Sequence, residues 1–189
     1  MVSTCDEKLS QRLRYFRSHG MTTLTLDRHK GRAITYDVIE PGLNYRMDEI
    51  RAAIGLVQLE KLPAANLRRA ELTQRYRAGF SKSDVLIPFA EQSKSAVSAY
   101  HILSALLPIG LDRVKVIEAL KELKIQSSIH YPPFWSFTAY SGVFSAKDAP
   151  TVAEICNRQL TLPLYPTMTN DEVDLVVSAL LEVIVEQRA

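Results

Sequence analysis

Apolar residues recur at helical spacing over several stretches of the chain and at strand spacing over shorter ones. Leu9, Leu13 and Phe16 follow Asp6, a helix N-cap residue, and Gly20 supplies the stop. The preceding MVST reads as a strand that starts without a turn. From Met47, the positions Ile50, Ile54 and Val57, widened by Ala53 and Leu56, predict a helix buried over much of its circumference. Pro63 interrupts this stripe, but proline is tolerated in a first helical turn. Residues 64–80 are therefore expected to resume as a second helix, basic and mostly solvated, bridging two domains.

Beyond residue 81 the pattern shortens. YHILSALL (100–107) reads as a strand, residues 111–123 as a helix on Val114, Ile117, Leu120 and Leu123, and residues 125–129 as another strand. A helix around residues 152–159 follows a tract rich in Pro, Ser and aromatic residues. LTLPLYP is extended, and Thr169 with Glu172 forms a capping box for a last helix buried through Val173, Val176, Val177, Leu180 and Ile184. The division expected is 1–62, a bridging helix over 63–82, and a small α/β domain over 83–189. Residues 21–41 show no sustained period and read as a long surface loop containing DRHKGR.

Composition narrows the function classes. Apolar residues make up 47% and charged residues 23% of the 189 positions, the usage of an ordinary globular protein. The apolar runs are broken well before the roughly 20 residues of a membrane span. A net charge of +2 without a basic block gives no footprint for nucleic acid. Cys5 and Cys156 stand far apart without metal-ligand spacing, and no apolar leader opens the chain, so a cytoplasmic location is expected. No glycine-rich phosphate loop, no HExxH and no GxSxG occurs, and the four histidines are isolated, so no metal site is expected.

Three features bear on chemistry. Asn44-Tyr45-Arg46 stands at the start of a helix, where an amide, a guanidinium and unpaired backbone N–H groups suit a phosphate. The same tripeptide also suits a tight turn with a solvated arginine. His130-Tyr131, at a strand end stiffened by Pro132 and Pro133, either lines a ligand cleft or belongs to a structural proline turn. The charges of DRHKGR are either merely solvated or meet phosphates.

Taken in order, GLNYRMDEIRAAIGLVQLEKL, SSIHYPP and LTLPLYPTMTNDEVDLVV resemble the C-terminal half of the DegT/DnrJ/EryC1/StrS aminotransferases, and MVSTCDEKLSQRLRYFRSHGM fits the segment before them. That family uses pyridoxal 5'-phosphate to aminate nucleotide-linked keto sugars. The resemblance implies the α/β fold of the aspartate-aminotransferase type, here the end of the large cofactor domain plus the small C-terminal domain. It implies a homodimer, or a complex with a complementary half, in which Asn44, with Arg46 nearby, meets the cofactor phosphate of the neighbouring subunit. His130 and Tyr131 then bind the sugar, glutamate is the typical amino donor, and DRHKGR would rim the nucleotide phosphates.

Family members carry the Schiff-base lysine, its pyridinium partner Asp and the stacking aromatic upstream of the segment that Met1 opens. No residue here is therefore assigned a catalytic role, and a chain of this extent is expected to be inactive alone. Trp135 stands where members commonly have a histidine, which unsettles a substrate contact there. The face of Ile50, Ile54 and Val57 would lack part of its packing partner, so association is expected. Two other readings stay open: a non-catalytic partner that completes a full-length or split aminotransferase, and a stand-alone α/β regulatory domain.

Overall fold

The computed structural model describes residues 2–22, 37–89 and 97–188. DRHKGR lies outside them. The chain divides into two compact units, Met1–Glu60 and Lys61–Ala189.

In the first unit, helix α1 spans Glu7–Phe16. Asp6 caps it as expected, its Oδ1 accepting from the backbone N–H groups of Lys8 at 2.9 Å and Leu9 at 3.2 Å. Residues 2–4 form no strand. The Thr4 hydroxyl instead accepts the Asp6 N–H at 3.1 Å, a local bond that competes with strand pairing. After α1, His19 (φ 62°) and Gly20 (φ 71°) turn the chain. The segment around residues 39–45 then runs back beside it. Its ties are Leu43 N–H to Phe16 O (2.6 Å), His19 N–H to Leu43 O (2.9 Å) and Tyr45 N–H to Arg17 O (2.9 Å).

Helix α2 spans Glu49–Phe80 and continues through Pro63. The interruption expected from that proline does not occur, because the ring removes only the bond to the Leu59 carbonyl while the helix on either side is already propagating. The two halves of α2 differ in burial. Ile50, Ile54 and Val57 are 75%, 58% and 47% exposed, whereas Leu72 and Tyr76 are fully buried and Phe80 nearly so. Residues 64–80 are thus not mostly solvated: every fourth position, Leu72, Tyr76 and Phe80, forms a core stripe beneath the basic surface.

In the second unit, β1 (Leu103–Leu106) pairs antiparallel with β2 (Gln159–Leu162), Ser104 opposite Thr161 and Ala105 opposite Leu160. Single antiparallel bridges flank them, Leu86 to Leu106 and Ser128 to Thr161, so the strip runs 86, β1, β2, 128. Residues 125–129 make only that one bridge, since the polar run Gln126-Ser127-Ser128 gives no second face to bury. Helices α3 (Arg113–Glu122), α4 (Pro150–Arg158) and α5 (Asn170–Arg188) complete the unit. Leu103, Ala105, Leu160 and Leu162 share one core with α2, Val116 and Leu120 of α3, and the apolar face of α5.

Two sets of contacts fix α5. Its capping box is formed in full: Glu172 accepts the Thr169 N–H at 2.7 Å, and the Thr169 hydroxyl accepts the Glu172 N–H at 3.2 Å. Arg75 grips Asp174 through two hydrogen bonds, the Nε bond being 2.7 Å, and the Arg68 guanidinium donates to the Met168 carbonyl at 2.9 Å. The Tyr76 hydroxyl donates to the Pro163 carbonyl at 2.9 Å, and burial pushes its ionisation up.

Hydrogen bonds from Thr169 hold the Glu172 carboxyl below its usual range, and the Arg75 bond does the same for Asp174. The folded state therefore binds these protons less readily than the unfolded state. The stability they contribute is present above the ordinary carboxylate values near about 4 and is lost as pH falls through the lower native ones. Urea melts from neutral to acid pH should show this loss, and Glu172→Gln should flatten it. At pH near 7, Tyr76→Phe should cost about 1 kcal/mol by removing the hydrogen bond to the part-buried Pro163 carbonyl, and Leu72→Ala about 2–5 kcal/mol. Unchanged midpoints would show that α2 does not anchor this core.

Candidate functional site

The sequence candidates fall in both units, Asn44 and Arg46 in the first, His130 and Tyr131 in the second.

Asn44 is held by the antiparallel bridge to Ser18, in the segment that returns beside the turn after α1. A very close backbone approach allows this. A Cβ on Gly20 would lie 1.7 Å from the Glu40 carbonyl oxygen, and one on Gly42 would lie 2.2 Å from the Gly20 nitrogen. On this frame the Arg46 Nε donates to Asn44 Oδ1 at 3.0 Å, and an Arg46 terminal nitrogen lies 3.2 Å from His19 Nε2. A guanidinium only donates. Asn44 must therefore present its oxygen to Arg46, which turns its two amide N–H donors away, where they meet no acceptor among the described residues. By the same reasoning His19 Nε2 accepts, so His19 carries its proton on Nδ1. All three side chains are exposed. The result is a cation with amide donors beside it, a donor set that fits a phosphate. Sequence reasoning missed His19, since nothing in the spacing of an isolated histidine 25 residues upstream points to Asn44.

His130 follows the Ser128 bridge on the strip, and its Nδ1 lies 2.9 Å from the Thr161 Oγ1 and 3.4 Å from the Ser128 Oγ. Gln159 Nε2 donates to the Ser104 Oγ at 2.9 Å and to Thr161 Oγ1 at 3.2 Å. Tyr131 stands 70% exposed, its ring meeting that of His130 edge-on at 5.0 Å. Trp135 does not join them but packs with Phe134 and Phe144, at centroid distances of 5.3 and 5.7 Å. His130 lines a cavity of about 550 Å³ together with Thr73, Arg77, Tyr100, His101 and Ser104. The Arg77 guanidinium donates to the carbonyls of Pro88 (3.1 Å) and Phe89 (3.0 Å) and gives the cavity a cationic wall. Gln159 and Thr161 also escaped the sequence reading. Their signal was two polar residues at alternate positions of QLTL, a strand otherwise made for a core.

Among the described residues no cluster of His, Cys, Asp or Glu could hold a metal ion, and no helix is long and apolar enough to cross a membrane.

The DegT/DnrJ/EryC1/StrS aminotransferase family model matches residues 1–181. The chain belongs to this family. It is 33% identical over 190 residues to the spore coat polysaccharide biosynthesis protein SpsC of Bacillus subtilis, a match covering 97% of this chain and 49% of SpsC. It is 32% identical over 193 residues to an uncharacterized protein of Methanocaldococcus jannaschii, covering all of this chain and 50% of that one. Among solved structures, Spr1654 of Streptococcus pneumoniae, assigned as a sugar aminotransferase, superposes in its PMP form with a TM-score of 0.85 at 27% identity. That match covers 97% of this chain and 46% of Spr1654, and the PLP form superposes with a TM-score of 0.83. The fold is thus that of the sugar aminotransferases, and the chain spans about half the length of the curated relatives it matches.

The Gly20–Gly42 approach generates a test of how the Asn44 turn is held. Gly20→Ala must adopt a left-handed backbone and also displace the Glu40 carbonyl, a cost above the roughly 1–2 kcal/mol of the backbone conformation alone. Amide exchange at Leu43 and Tyr45 should accelerate at least about tenfold. Unchanged protection would show that the turn is held elsewhere.

Proposed function

We propose that this chain is the C-terminal part of a pyridoxal-phosphate-dependent aminotransferase acting on nucleotide-linked keto sugars, in polysaccharide or antibiotic sugar biosynthesis, with glutamate as a suitable amino donor. Family membership supports the reaction class, and the polysaccharide role in the name of SpsC agrees with the substrate class. The observation that carries the reading is the donor constellation of Asn44 and Arg46. Pyridoxal phosphate, when bound, supplies an electron sink for moving an amino group. The amide N–H groups of Asn44 and the charge of Arg46 hold its phosphate, while His130 and Tyr131 bind and orient the sugar. The division 1–62, 63–82 and 83–189 assigns the phosphate contact to the remnant of the large domain and the sugar contact to the small one. A cytoplasmic location accords with a nucleotide-sugar substrate.

A second reading is favoured by the exposed face of Ile50, Ile54 and Val57. In it the chain is a non-catalytic partner whose Asn44 completes the site of a lysine-bearing subunit, in a homodimer-like or split assembly.

Equilibrium dialysis with pyridoxal phosphate and with pyridoxal isolates the phosphate contact. The phosphate form should bind better, and Asn44→Ala or Arg46→Ala should remove about 1.5–3 kcal/mol of that difference. Equal retention of the two ligands by the unaltered chain would sink the assignment. Borohydride should fix no cofactor stoichiometrically at any one of the lysines in these 189 residues. Amination of a nucleotide-linked keto sugar should appear only after mixing with a lysine-bearing subunit, and turnover by the chain alone would refute that dependence.

A further inference from the structure

His130 has two ring nitrogens, and the structure treats them differently. Nδ1 lies 2.9 Å from Thr161 Oγ1, whereas Nε2 has no partner among the described residues. Thr161 is itself buried in β2, as is Gln159, at 7% and 5% exposure. Buried polar groups of this kind are held by hydrogen bonds, and each atom has a limited set of roles. The Gln159 amide nitrogen can only donate. It occupies one lone pair of Thr161 Oγ1 at 3.2 Å and one of Ser104 Oγ at 2.9 Å. The Thr161 hydroxyl proton then has one acceptor within reach among the described residues, the His130 Nδ1. The Ser128 hydroxyl, 3.4 Å from the same nitrogen, is positioned to reinforce that role.

We propose that Thr161, oriented by Gln159, fixes neutral His130 as the tautomer protonated on Nε2, so that His130 presents a hydrogen-bond donor to an acceptor oxygen of its ligand. The strip is built for this. Ser104 and Thr161 are register partners, Ser128 bridges Thr161 from the other side, and His130 lies two residues on from Ser128, so all four side chains share one sheet face. His130 and Ser104 both line the cavity of about 550 Å³. An Nε2–H recognises a hydroxyl, carbonyl or phosphate oxygen, and with Nδ1 engaged by Thr161 the neutral ring has no acceptor left to offer. Thr161 is a positioning residue, acting through His130. Only the identity of the ligand, a sugar oxygen, rests on the aminotransferase reading.

The tautomer is read directly from two-bond ¹H–¹⁵N correlation spectra of the full chain with labelled histidine. The spectra are recorded at about pH 8.5, ~2 units above the ordinary imidazole value. The His130 signal is assigned by its loss in His130→Asn. A pyridine-like Nδ1 with a pyrrole-like Nε2 is expected in the unaltered protein. Thr161→Val should move both nitrogens toward the averaged positions of an exchanging ring, and Thr161→Ser should restore them. A pyrrole-like Nδ1 in the unaltered chain overturns the proposal, as does a Thr161→Val spectrum identical to it. The unaltered chain decides the matter even if the valine variant does not fold. No cofactor or substrate is needed, so failure of the aminotransferase reading would leave this result standing, and the reverse also holds.

Discussion

Strand β2 is buried on both faces, and much of the second unit follows from that constraint. Leu160 and Leu162 turn into the core with Leu103 and Ala105, while Gln159 and Thr161 turn the other way and are also buried. An apolar pair in a core needs only close packing. A polar pair in the same position needs every donor matched, because an unmade bond costs more than a made one contributes. The match is found sideways along the sheet, through Ser104 on one neighbour and through His130 on the other. The core and the candidate sugar site are thus the two faces of one four-residue strand, and a change that shifts β2 for packing also shifts the histidine.

The first unit reaches a similar end with backbone rather than side chains. The turn at His19-Gly20 and the return past Gly42 leave no room for a Cβ between them. That approach lets Ser18 bridge Asn44 and places His19 against Arg46. A site made of exposed side chains is floppy unless something rigid sets their origins. Here the rigid part is the glycine contact, and the Arg46 bond to the Asn44 oxygen then decides which way the amide faces.

Local chemistry was the legible part of the sequence. The Asp6 cap, the Thr169–Glu172 box and the apolar face of α5 each depend on residues within a few positions of one another. The resemblance carried by NYR, HYPP and LTLPLYP was likewise readable, because those motifs are contiguous. Nonlocal partners were not readable. His19 meets Arg46 across 27 residues, and His130 meets Thr161 across 31, at separations with no period to betray them. Helix α2 failed for a different reason. Its basic residues set its average character and hid Leu72, Tyr76 and Phe80, while its length of 32 residues lets it carry Pro63 without a break.

The unequal burial of α2 bears on how the Asn44 donors would be used. Ile50, Ile54 and Val57 carry the same spacing that buries Leu72 and Tyr76 further along, yet they stand open. From Asp48, which caps the helix by accepting the Arg51 N–H at 2.8 Å, to Ile54 is about 9 Å along the axis. A surface that covered this apolar face would therefore come within one or two helical turns of Asn44 and Arg46, and would exclude water from around them. Donors worth little in open solvent gain strength when an anion is enclosed with them. In the proposed assembly, burying the apolar face and strengthening the phosphate contact are one event, so association would add to the phosphate affinity that this chain has by itself.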